Sequence, residues 1–232
     1  MAELTVFSTI GVRSGAEALF RTFEAANGHS LVLTWGSAAM LVKRLASGET
    51  ADVLILNRAA IDALKREGKI APGTDVTLAS SGVAIAVMAG APKPDISTPE
   101  ALKHTLLKAK SIVYSEPSAG GASGVYFAKL LERMGIAEEM RPKTQYPPPG
   151  GFSGELLLTG EAELAVQQKP ELMHVAGTEI VGLLPGDLNV VTEFAAGITT
   201  GSENVDVAQA LIRMLQTPEA KAAFRAKGLD PA

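Results

Sequence analysis

The segment LASGETADVLI, residues 45–55, connects the end of a helix to the start of a buried strand. Leu45 ends a short predicted helix that begins at Ala38, and Gly48 stands where helices commonly finish in a left-handed residue. Val53–Leu56 is an apolar run of strand length, typical of a strand covered on both faces. Residues 157–164, LLTGEAEL, repeat the Leu-x-x-Gly-Glu spacing ahead of the run Leu164–Gln167. The sequence thus predicts this connection twice, either as a true internal repeat or as a turn that α/β proteins commonly reuse.

Strand and helix patterns alternate on both sides of this segment. Downstream of the apolar run Leu4–Phe7, apolar residues recur at i, i+3, i+4 and i+7, the spacing of one buried helix face. That face consists of Ala16, Leu19, Phe20 and Phe23. The other predicted strands are Leu4–Phe7, Leu31–Trp35, Val83–Met88, Ile112–Tyr114 and a stretch near 190–195. The alternation predicts an α/β fold with mostly parallel sheets flanked by helices, and 232 residues allow one large domain or two lobes.

Short motifs mark two helix starts and one break. Thr98 and Thr217 are each followed by proline and glutamate, which is typical of an N-cap, a proline at the first helical position and an acid in the first turn. Residues 146–151, YPPPGG, do not fit the interior of a helix or a strand. They therefore separate two elements in the second half of the chain.

The composition is that of a folded globular protein and excludes several functions. The net charge of -4 disfavours nucleic acid as a partner, because a phosphate footprint needs clustered lysine and arginine. The chain has no cysteine, and its three histidines, His29, His104 and His174, lie far apart, so no metal site and no cofactor are expected. No apolar run approaches the roughly 20 residues that span a bilayer, so no membrane insertion is expected.

Three predicted strand-to-helix turns carry hydroxyl groups or glycines. In open α/β sheets, ligands bind beyond the carboxyl ends of strands, where helix N-termini present unpaired amides. The candidate ligand-binding residues at these turns are Ser8, Thr9, Arg13, Gly36, Ser37, Ser118, Gly121, Ala122 and Ser123. Plainer interpretations remain open: Ser37 as an ordinary N-cap, Arg13 as a solvated charge and residues 115–124 as a flexible connection.

The common catalytic motifs do not occur in this chain. Nucleotide-binding glycine loops and the zinc-protease motif are absent, and the serine-hydrolase pattern fails around Ser123 because Val125 stands where the last glycine is needed. A nucleotide enzyme or a serine hydrolase is therefore disfavoured.

The order of several motifs resembles the molybdate-binding-like branch of the solute-binding proteins. These motifs are Phe7-Ser8, Gly36-Ser37-Ala38, residues 48–55, Gly90-Ala91-Pro92 and residues 160–163. The resemblance implies a two-lobed type II periplasmic-binding-protein fold, with lobe 1 at 1–80 plus 197–232, lobe 2 at 83–193, and hinges near 79–82 and 193–199. It also implies that hydroxyls and amides at Ser8, Ser37, Ala122 and Ser123 hold an oxyanion in the cleft between the lobes.

One departure from that family favours a different anion. A tyrosine commonly follows the later strand in the oxyanion binders, whereas this chain has Gln167 and Gln168 there. Glutamine suits a carboxylate or hydroxy acid, and Arg13 suits a ligand with several carboxylates. A polycarboxylate is thus favoured over a molybdate-like oxyanion, with Gln167 and Tyr146 as further candidate contacts.

The pattern is also similar to that of aconitate isomerase, an enzyme built on the same fold, so an isomerase of small unsaturated polycarboxylates is the alternative function. Such a reaction needs a base near a carbon acid, and Glu116 and Tyr146 are the candidates. As a binding protein, a monomer is expected, with a transporter or a sensor as protein partner. As written the chain predicts a cytoplasmic protein, or a periplasmic one if Met1 replaces a removed leader.

Overall fold

The computed structural model describes residues 2–148 and 150–232. In chain order its strands are β1 (Glu3–Thr9), β2 (Ser30–Gly36), β3 (Val53–Asn57), β4 (Val76–Met88), β5 (Ile112–Tyr114), β6 (Thr144–Gln145), β7 (Leu164–Gln168), β8 (Thr178–Leu183), β9 (Val191–Ile198) and β10 (Asp230–Pro231). Its helices are α1 (Arg13–Asn27), α2 (Ala38–Ala46), α3 (Arg58–Arg66), α4 (Pro99–Lys108), α5 (Ala122–Arg133), α6 (Ala137–Met140), α7 (Gly154–Leu158), α8 (Lys169–His174), α9 (Val205–Met214) and α10 (Pro218–Ala226). These elements confirm an α/β fold.

The chain divides into two compact units. The first unit contains the residues up to Ser80 together with Thr192–Ala232, and the second is Ser81–Val191. The chain therefore passes from the first unit to the second and back again. The hinge positions near 79–82 and 193–199 stay predictions.

The sheet of the first unit is built on three parallel strands. β1 lies between β2 and β3, and β9 pairs with β3 in the antiparallel direction. The short β10 pairs with Ala79 and Ser80 of β4, also antiparallel. The antiparallel strands make this sheet mixed, whereas strand patterns alone indicated mostly parallel pairing.

Alternate residues of β3 enter two different cores. Val53 and Ile55 pack into a cluster with α1, α9 and α10, whereas Leu54 and Leu56 pack into a second cluster with α2 and α3. Successive strand residues point to opposite faces, so a run buried on both sides must be apolar throughout. This is the physical reason for the continuous run that the sequence shows at residues 53–56.

The second unit repeats the topology of the first. β5 lies between β6 and β7 with parallel pairing, β4 is antiparallel to β7, and β8 is antiparallel to β4. Val83, Ile85 and Val87 of β4 enter one core, and Ala84 and Ala86 enter the other. In each unit the middle one of the three parallel strands comes first in sequence, and an antiparallel strand lies beside the third, β9 beside β3 and β4 beside β7.

The two predicted helix-to-strand connections have matching geometry. Gly48 follows α2 with φ 95°, and Gly160 follows α7 with φ 76°. Both values lie in the left-handed region, which glycine adopts without the steric cost that a side chain imposes. The repeated Leu-x-x-Gly-Glu spacing therefore corresponds to the same turn in both units.

The predicted helix starts are confirmed at atomic detail. The Thr98 hydroxyl accepts a hydrogen bond from the Ala101 amide at 3.1 Å, and the Thr217 hydroxyl accepts one from the Ala220 amide at 3.2 Å. The break at residues 146–151 is outside any helix or strand where the structure describes it, and Pro149 lies outside the described residues.

Several elements were missing from the sequence prediction. The missed elements are short or lack a clear apolar period in the case of α6, β6 and β8. No turn residues separate α8 from β7, so the start of α8 was not recognised. His174 ends α8. Among the described residues, no helix is long and apolar enough to span a membrane.

Candidate functional site

The turns that follow the parallel strands of the first unit meet at one edge of its sheet. Ser8 and Thr9 at the end of β1 pair in register with Trp35 and Gly36 at the end of β2. Parallel strands end at the same edge, so the two predicted turns lie side by side. The edge therefore combines the backbone and hydroxyl donors that the sequence analysis attributed to separate segments.

Hydroxyl groups cap the helices that start at this edge. The Thr9 hydroxyl accepts a hydrogen bond from the Gly11 amide at 3.4 Å, and the Ser37 hydroxyl accepts one from Met40 at 3.2 Å. Ser8 is fully buried, and its hydroxyl donates to the Thr9 carbonyl at 3.4 Å. A hydroxyl that accepts from an amide keeps its own proton for another acceptor, so the cap at Thr9 does not preclude donation to an anion.

Asn57 brings a third turn to the same edge and was missed by sequence reasoning. It ends β3, and its side-chain oxygen accepts from the Ala60 amide at 2.8 Å to cap α3. The neighbouring Arg58 is held by two carboxylates, since its guanidinium donates to Asp62 at 3.2 Å and to Asp75 at 2.8 Å. An asparagine at the end of a strand indicates a helix cap as readily as a ligand contact, so the sequence carried no distinctive signal.

Arg13 begins α1 and belongs to the predicted first turn. Its guanidinium lies 5.5 Å from the centroid of the Trp35 ring and 3.4 Å from a Glu17 carboxylate oxygen. Its Nε is buried and has no hydrogen-bond partner among residues 2–148 and 150–232. An arginine with donor capacity left over suits a carboxylate, which accepts hydrogen bonds from two guanidinium nitrogens at once.

In the second unit, the loop after β5 folds tightly against the first turn of α5. Pro117–Ala119 forms a 3₁₀ turn, and Gly120 adopts φ 71°. A Cβ at Gly124 would lie 2.0 Å from the backbone oxygen of Ser115, so only glycine allows this approach. Gly121, the residue before α5, has no side chain to cap the helix, and the first-turn amides are left for other acceptors.

The predicted residues of this loop differ in exposure. Ser118, Ala122 and Glu116 are exposed, whereas Ser123 is buried at 4% exposure. Exposed Ser118 and Ala122 are accessible to a ligand, and the buried Ser123 side chain packs within α5. Binding by these residues stays a prediction.

Tyr146 follows β6 at the same edge and pairs with a second tyrosine. Its ring meets that of Tyr114 edge-on with centroids 5.3 Å apart, and the two hydroxyls lie 3.4 Å from each other. Burial, and secondarily the hydrogen bond with Tyr146, raise the pKa of Tyr114 above its usual value. Tyr114 thus remains protonated at neutral pH, while Tyr146 stays 44% exposed.

Gln167 is the most connected polar side chain of the second unit's edge. It is fully buried; its oxygen accepts from the Ser153 amide at 2.8 Å, and its nitrogen donates to the Ser115 hydroxyl at 3.2 Å and the Gly151 carbonyl at 3.4 Å. The side chain thus joins β7 to the loop after β5 and to residues 151–153. Direct contact between Gln167 and a ligand stays a prediction.

Glu171 is a buried carboxyl group that sequence reasoning missed. It lies in the first turn of α8 with 6% exposure and interacts with the Gln168 backbone and the Gln167 side chain. Burial raises its pKa to about 8, although both hydrogen bonds act in the opposite direction. A glutamate after a proline in a first helical turn indicates an exposed, dipole-stabilised residue, so the burial of Glu171 could not be predicted from this pattern.

The histidines lie outside these edges or in packing contacts. His29 accepts a hydrogen bond from the Ala2 amide at 3.1 Å, and His174 stacks on Phe152 with ring centroids 4.5 Å apart. His104 is exposed on α4. Among the described residues, no group of three or more histidine, cysteine, aspartate or glutamate side chains is placed to hold a metal ion.

Comparison with known proteins identifies the family. The family model for bacterial extracellular solute-binding proteins matches residues 4–230. The chain belongs to this family. Aconitate isomerase from Pseudomonas sp. is 35% identical over 234 residues, covering 98% of this chain and 87% of that protein.

Solved structures of other binding proteins share the fold. The periplasmic molybdate-binding protein of Azotobacter vinelandii superposes with a TM-score of 0.79 at 19% identity, covering 97% of this chain and 98% of the other. The sulfate-binding protein SubI of Mycobacterium tuberculosis H37Rv superposes with a TM-score of 0.78 at 17% identity, covering 100% and 88%. This solute-binding protein therefore has the type II periplasmic-binding-protein fold, and the resemblance inferred from its motifs is confirmed.

Proposed function

We propose that this solute-binding protein binds a small polycarboxylate through donors at the strand-to-helix edges of its two units. The observation that carries the proposal is the register of β1 and β2, which puts the turns at Ser8–Thr9 and Gly36–Ser37 side by side. The family consists of proteins that bind solutes, and relatives in fold are named for molybdate and sulfate. Small oxygen-rich anions are therefore the ligand class that these turns suit.

Arg13 and the two glutamines at the end of β7 favour carboxylates over a tetrahedral oxyanion. Arg13 keeps a guanidinium nitrogen without a partner beside the first turn, as described above. Gln167 and Gln168 stand at the end of β7, where the resemblance to oxyanion binders implies a tyrosine. A guanidinium can donate two parallel hydrogen bonds to one planar carboxylate. A ligand with several carboxylates offers several groups that can accept this pair of bonds.

The proposal is tested by ligand-dependent thermal stability. Purified protein is melted with molybdate, tungstate, sulfate, citrate, cis-aconitate and trans-aconitate, because a ligand that binds only the native state raises the melting temperature. We expect shifts with at least one polycarboxylate and none with molybdate or tungstate. A shift with molybdate and none with any carboxylate would overturn the carboxylate assignment.

The second candidate is an isomerase of small unsaturated polycarboxylates. The observation that favours it is the 35% identity to aconitate isomerase over 98% of this chain. The reaction moves a proton across an allylic system, and Glu116 and Tyr146 remain the proposed bases. Both side chains are exposed at the edge of the second unit.

Proton NMR of the protein with trans-aconitate or cis-aconitate in deuterated water separates the two candidates. Catalysis predicts interconversion of the isomers and incorporation of deuterium, whereas binding alone predicts an unchanged ligand spectrum. If turnover occurs, Glu116→Gln and Tyr146→Phe are expected to lower it, with Glu155→Gln on the exposed face of α7 as the control. Turnover unchanged in both variants would remove both residues as bases.

A location outside the cytoplasm is part of the proposal, because the family consists of extracellular solute-binding proteins. A transporter or a sensor that reads the liganded state is the proposed protein partner. Fractionation of the native organism, followed by detection of the protein in each compartment, tests the location.

A further inference from the structure

The loop that follows β8 starts at the same edge of the second unit as the loop after β5. β7 is parallel to β5 and antiparallel to β4, and β4 is antiparallel to β8. β8 therefore runs in the same direction as β5 and β7, and its end lies beside theirs. Residues 184–189 follow that end and are called the β8 loop below. Sequence reasoning assigned this segment no function.

Tyr126 joins the β8 loop to α5. It lies one turn after Ala122, the first residue of α5, and its hydroxyl donates a hydrogen bond to the Leu188 carbonyl at 2.8 Å. The side chains of Tyr126 and Leu188 also pack against the same hydrophobic core. The first-turn amides of α5 belong to the candidate anion site, so a displacement of this helix start acts directly on the β8 loop.

Asn189 joins the β8 loop to β4. Its side-chain oxygen accepts a hydrogen bond from the Val83 amide at 3.2 Å. Its amide group also lies against Gly82, where a Cβ would come 2.7 Å from Oδ1 and 2.8 Å from Nδ2. A side chain at Gly82 would therefore displace Asn189. Val83 pairs with Gln168 at the end of β7, so these contacts lie at the edge that carries the candidate site.

The contacts of Asn189 hold together the two places where the chain enters and leaves the second unit. Ser81 is the first residue of this unit and Val191 is the last. Gly82 and Val83 follow the entry directly, and Asn189 precedes the exit by two residues. Both places lie in or beside the segments predicted as hinges.

We propose that Tyr126 and Asn189 couple anion binding at the start of α5 to both predicted hinge segments. This inference rests on the proposed function, because it takes the first-turn amides of α5 as part of the anion site. Both are positioning residues: Tyr126 acts through the Leu188 carbonyl, and Asn189 acts through the Val83 amide. A ligand that restrains the start of α5 thereby restrains the β8 loop and the entry of β4 into the second unit.

Amide exchange in the ligand-free protein, followed by NMR, tests the connection itself. Asn189→Ala removes the acceptor of the Val83 amide, and exchange of this amide is expected to become roughly threefold to tenfold faster. Gly82→Ala displaces Asn189 without replacing it, so it is expected to have the same effect. Tyr126→Phe removes only a hydroxyl group. It is expected to speed exchange of Val83 and of the β8 loop, because Leu188 and Asn189 are adjacent.

The matched control for Tyr126→Phe is Lys103→Met. The Lys103 ammonium donates to the Met134 carbonyl at 2.7 Å, so this variant also removes one side-chain hydrogen bond from α5, at its opposite end. We expect Lys103→Met to leave exchange of Val83 and of the β8 loop at the wild-type rate. Wild-type exchange of Val83 in Tyr126→Phe, or equal acceleration in Lys103→Met, would overturn the connection whatever the protein binds.

The same measurement with saturating citrate or trans-aconitate tests the coupling to the ligand. In the wild type, the ligand is expected to slow exchange about threefold or more at residues 115–124, at Val83 and in the β8 loop. In Tyr126→Phe, the slowing is expected to persist at residues 115–124 and to be lost at Val83 and in the β8 loop. If Tyr126 has only a structural role, the slowing persists at all three places, and this result would overturn the coupling.

The outcomes distinguish the inference from the proposed function. In the wild type, slowing at residues 115–124 without slowing at Val83 would overturn the coupling and leave the proposed function in place. An absence of any effect of citrate and trans-aconitate on the wild type would overturn the proposed function and the ligand part of the inference together. In that case the ligand-free comparison still decides whether Tyr126 connects α5 to Val83.

Discussion

Arg13 is the residue whose substitution most directly tests the chemical class of the ligand. We expect Arg13→Ala to weaken polycarboxylate binding by about 1.5 to 3 kcal/mol, since a charge-assisted hydrogen bond is lost. Arg21→Ala, in the exposed part of the same helix, is the matched control. Calorimetric titration measures both, and equal affinities for the wild type and Arg13→Ala would remove Arg13 from the site.

Gly124 is a residue whose identity is set by the space around it. A Cβ in Gly124→Ala would lie 2.0 Å from the Ser115 carbonyl oxygen, so the loop after β5 must shift. We expect a loss of about 1 to 3 kcal/mol in the free energy of unfolding, and weaker ligand binding. The control is Gly201→Ala, whose Cβ meets no heavy atom within 4 Å. A Gly124→Ala variant as stable as the control would contradict the close approach.

Some residues of the candidate site could be recognised from the sequence, and others could not. Ser8, Thr9 and Ser37 were recognisable because hydroxyl residues follow apolar runs. Glu171 and Asn57 were not, because a glutamate in a first helical turn indicates an exposed residue, and an asparagine at the end of a strand indicates a helix cap as readily as a ligand contact. The environment of Gln167 likewise comes from segments 14 to 52 residues away in sequence.

At the scale of elements, helix caps contribute stability that the sequence makes visible. The Thr217 hydroxyl caps α10, which packs on α1 in the first unit. We expect Thr217→Ala to lower the free energy of unfolding by about 0.5 to 2 kcal/mol. Thr217→Ser retains the hydroxyl and is expected to stay within a few tenths of a kcal/mol of the wild type. Urea denaturation measures both, and equal losses in the two variants would show that packing of the threonine methyl, and not the cap, provides the stability.

Elements with strong local sequence patterns were predicted, and elements with weak patterns were missed. β5 was predicted with the bounds it has, because its apolar run is followed directly by turn residues. β8 was missed because its residues are only partly buried, and partial burial on an edge strand leaves no strict alternation. The antiparallel pairing of β9 with β3 and of β4 with β7 depends on contacts between distant segments, which single-strand patterns do not specify.

At the scale of the whole molecule, Glu171 makes stability depend on pH. The folded pKa of about 8 lies above the ordinary value of 4.5, so between these limits the unfolded chain binds fewer protons at this site than the folded one. The contribution of Glu171 to stability therefore falls as pH rises through this window and levels off above about pH 8.

Glu171→Gln removes this titration. We therefore expect the free energy of unfolding of the variant, relative to that of the wild type, to rise between pH 5 and pH 8. Urea denaturation at intervals of one pH unit measures the difference, with Glu155→Gln as the exposed control. Stability profiles that run parallel for Glu171→Gln and the wild type would show that the carboxyl is already ionised in the folded state at neutral pH.

The sequence by itself determined the α/β class, the repeated helix-to-strand turn and the family. These follow from local rules: apolar runs encode buried strands, and glycine encodes the left-handed turns at Gly48 and Gly160. The tertiary structure alone decided which turns share an edge, which strands pair antiparallel, and that the Glu171 and Gln167 side chains are buried. The physical reason is that burial and strand register arise from contacts between segments far apart in the chain, which no local spacing records.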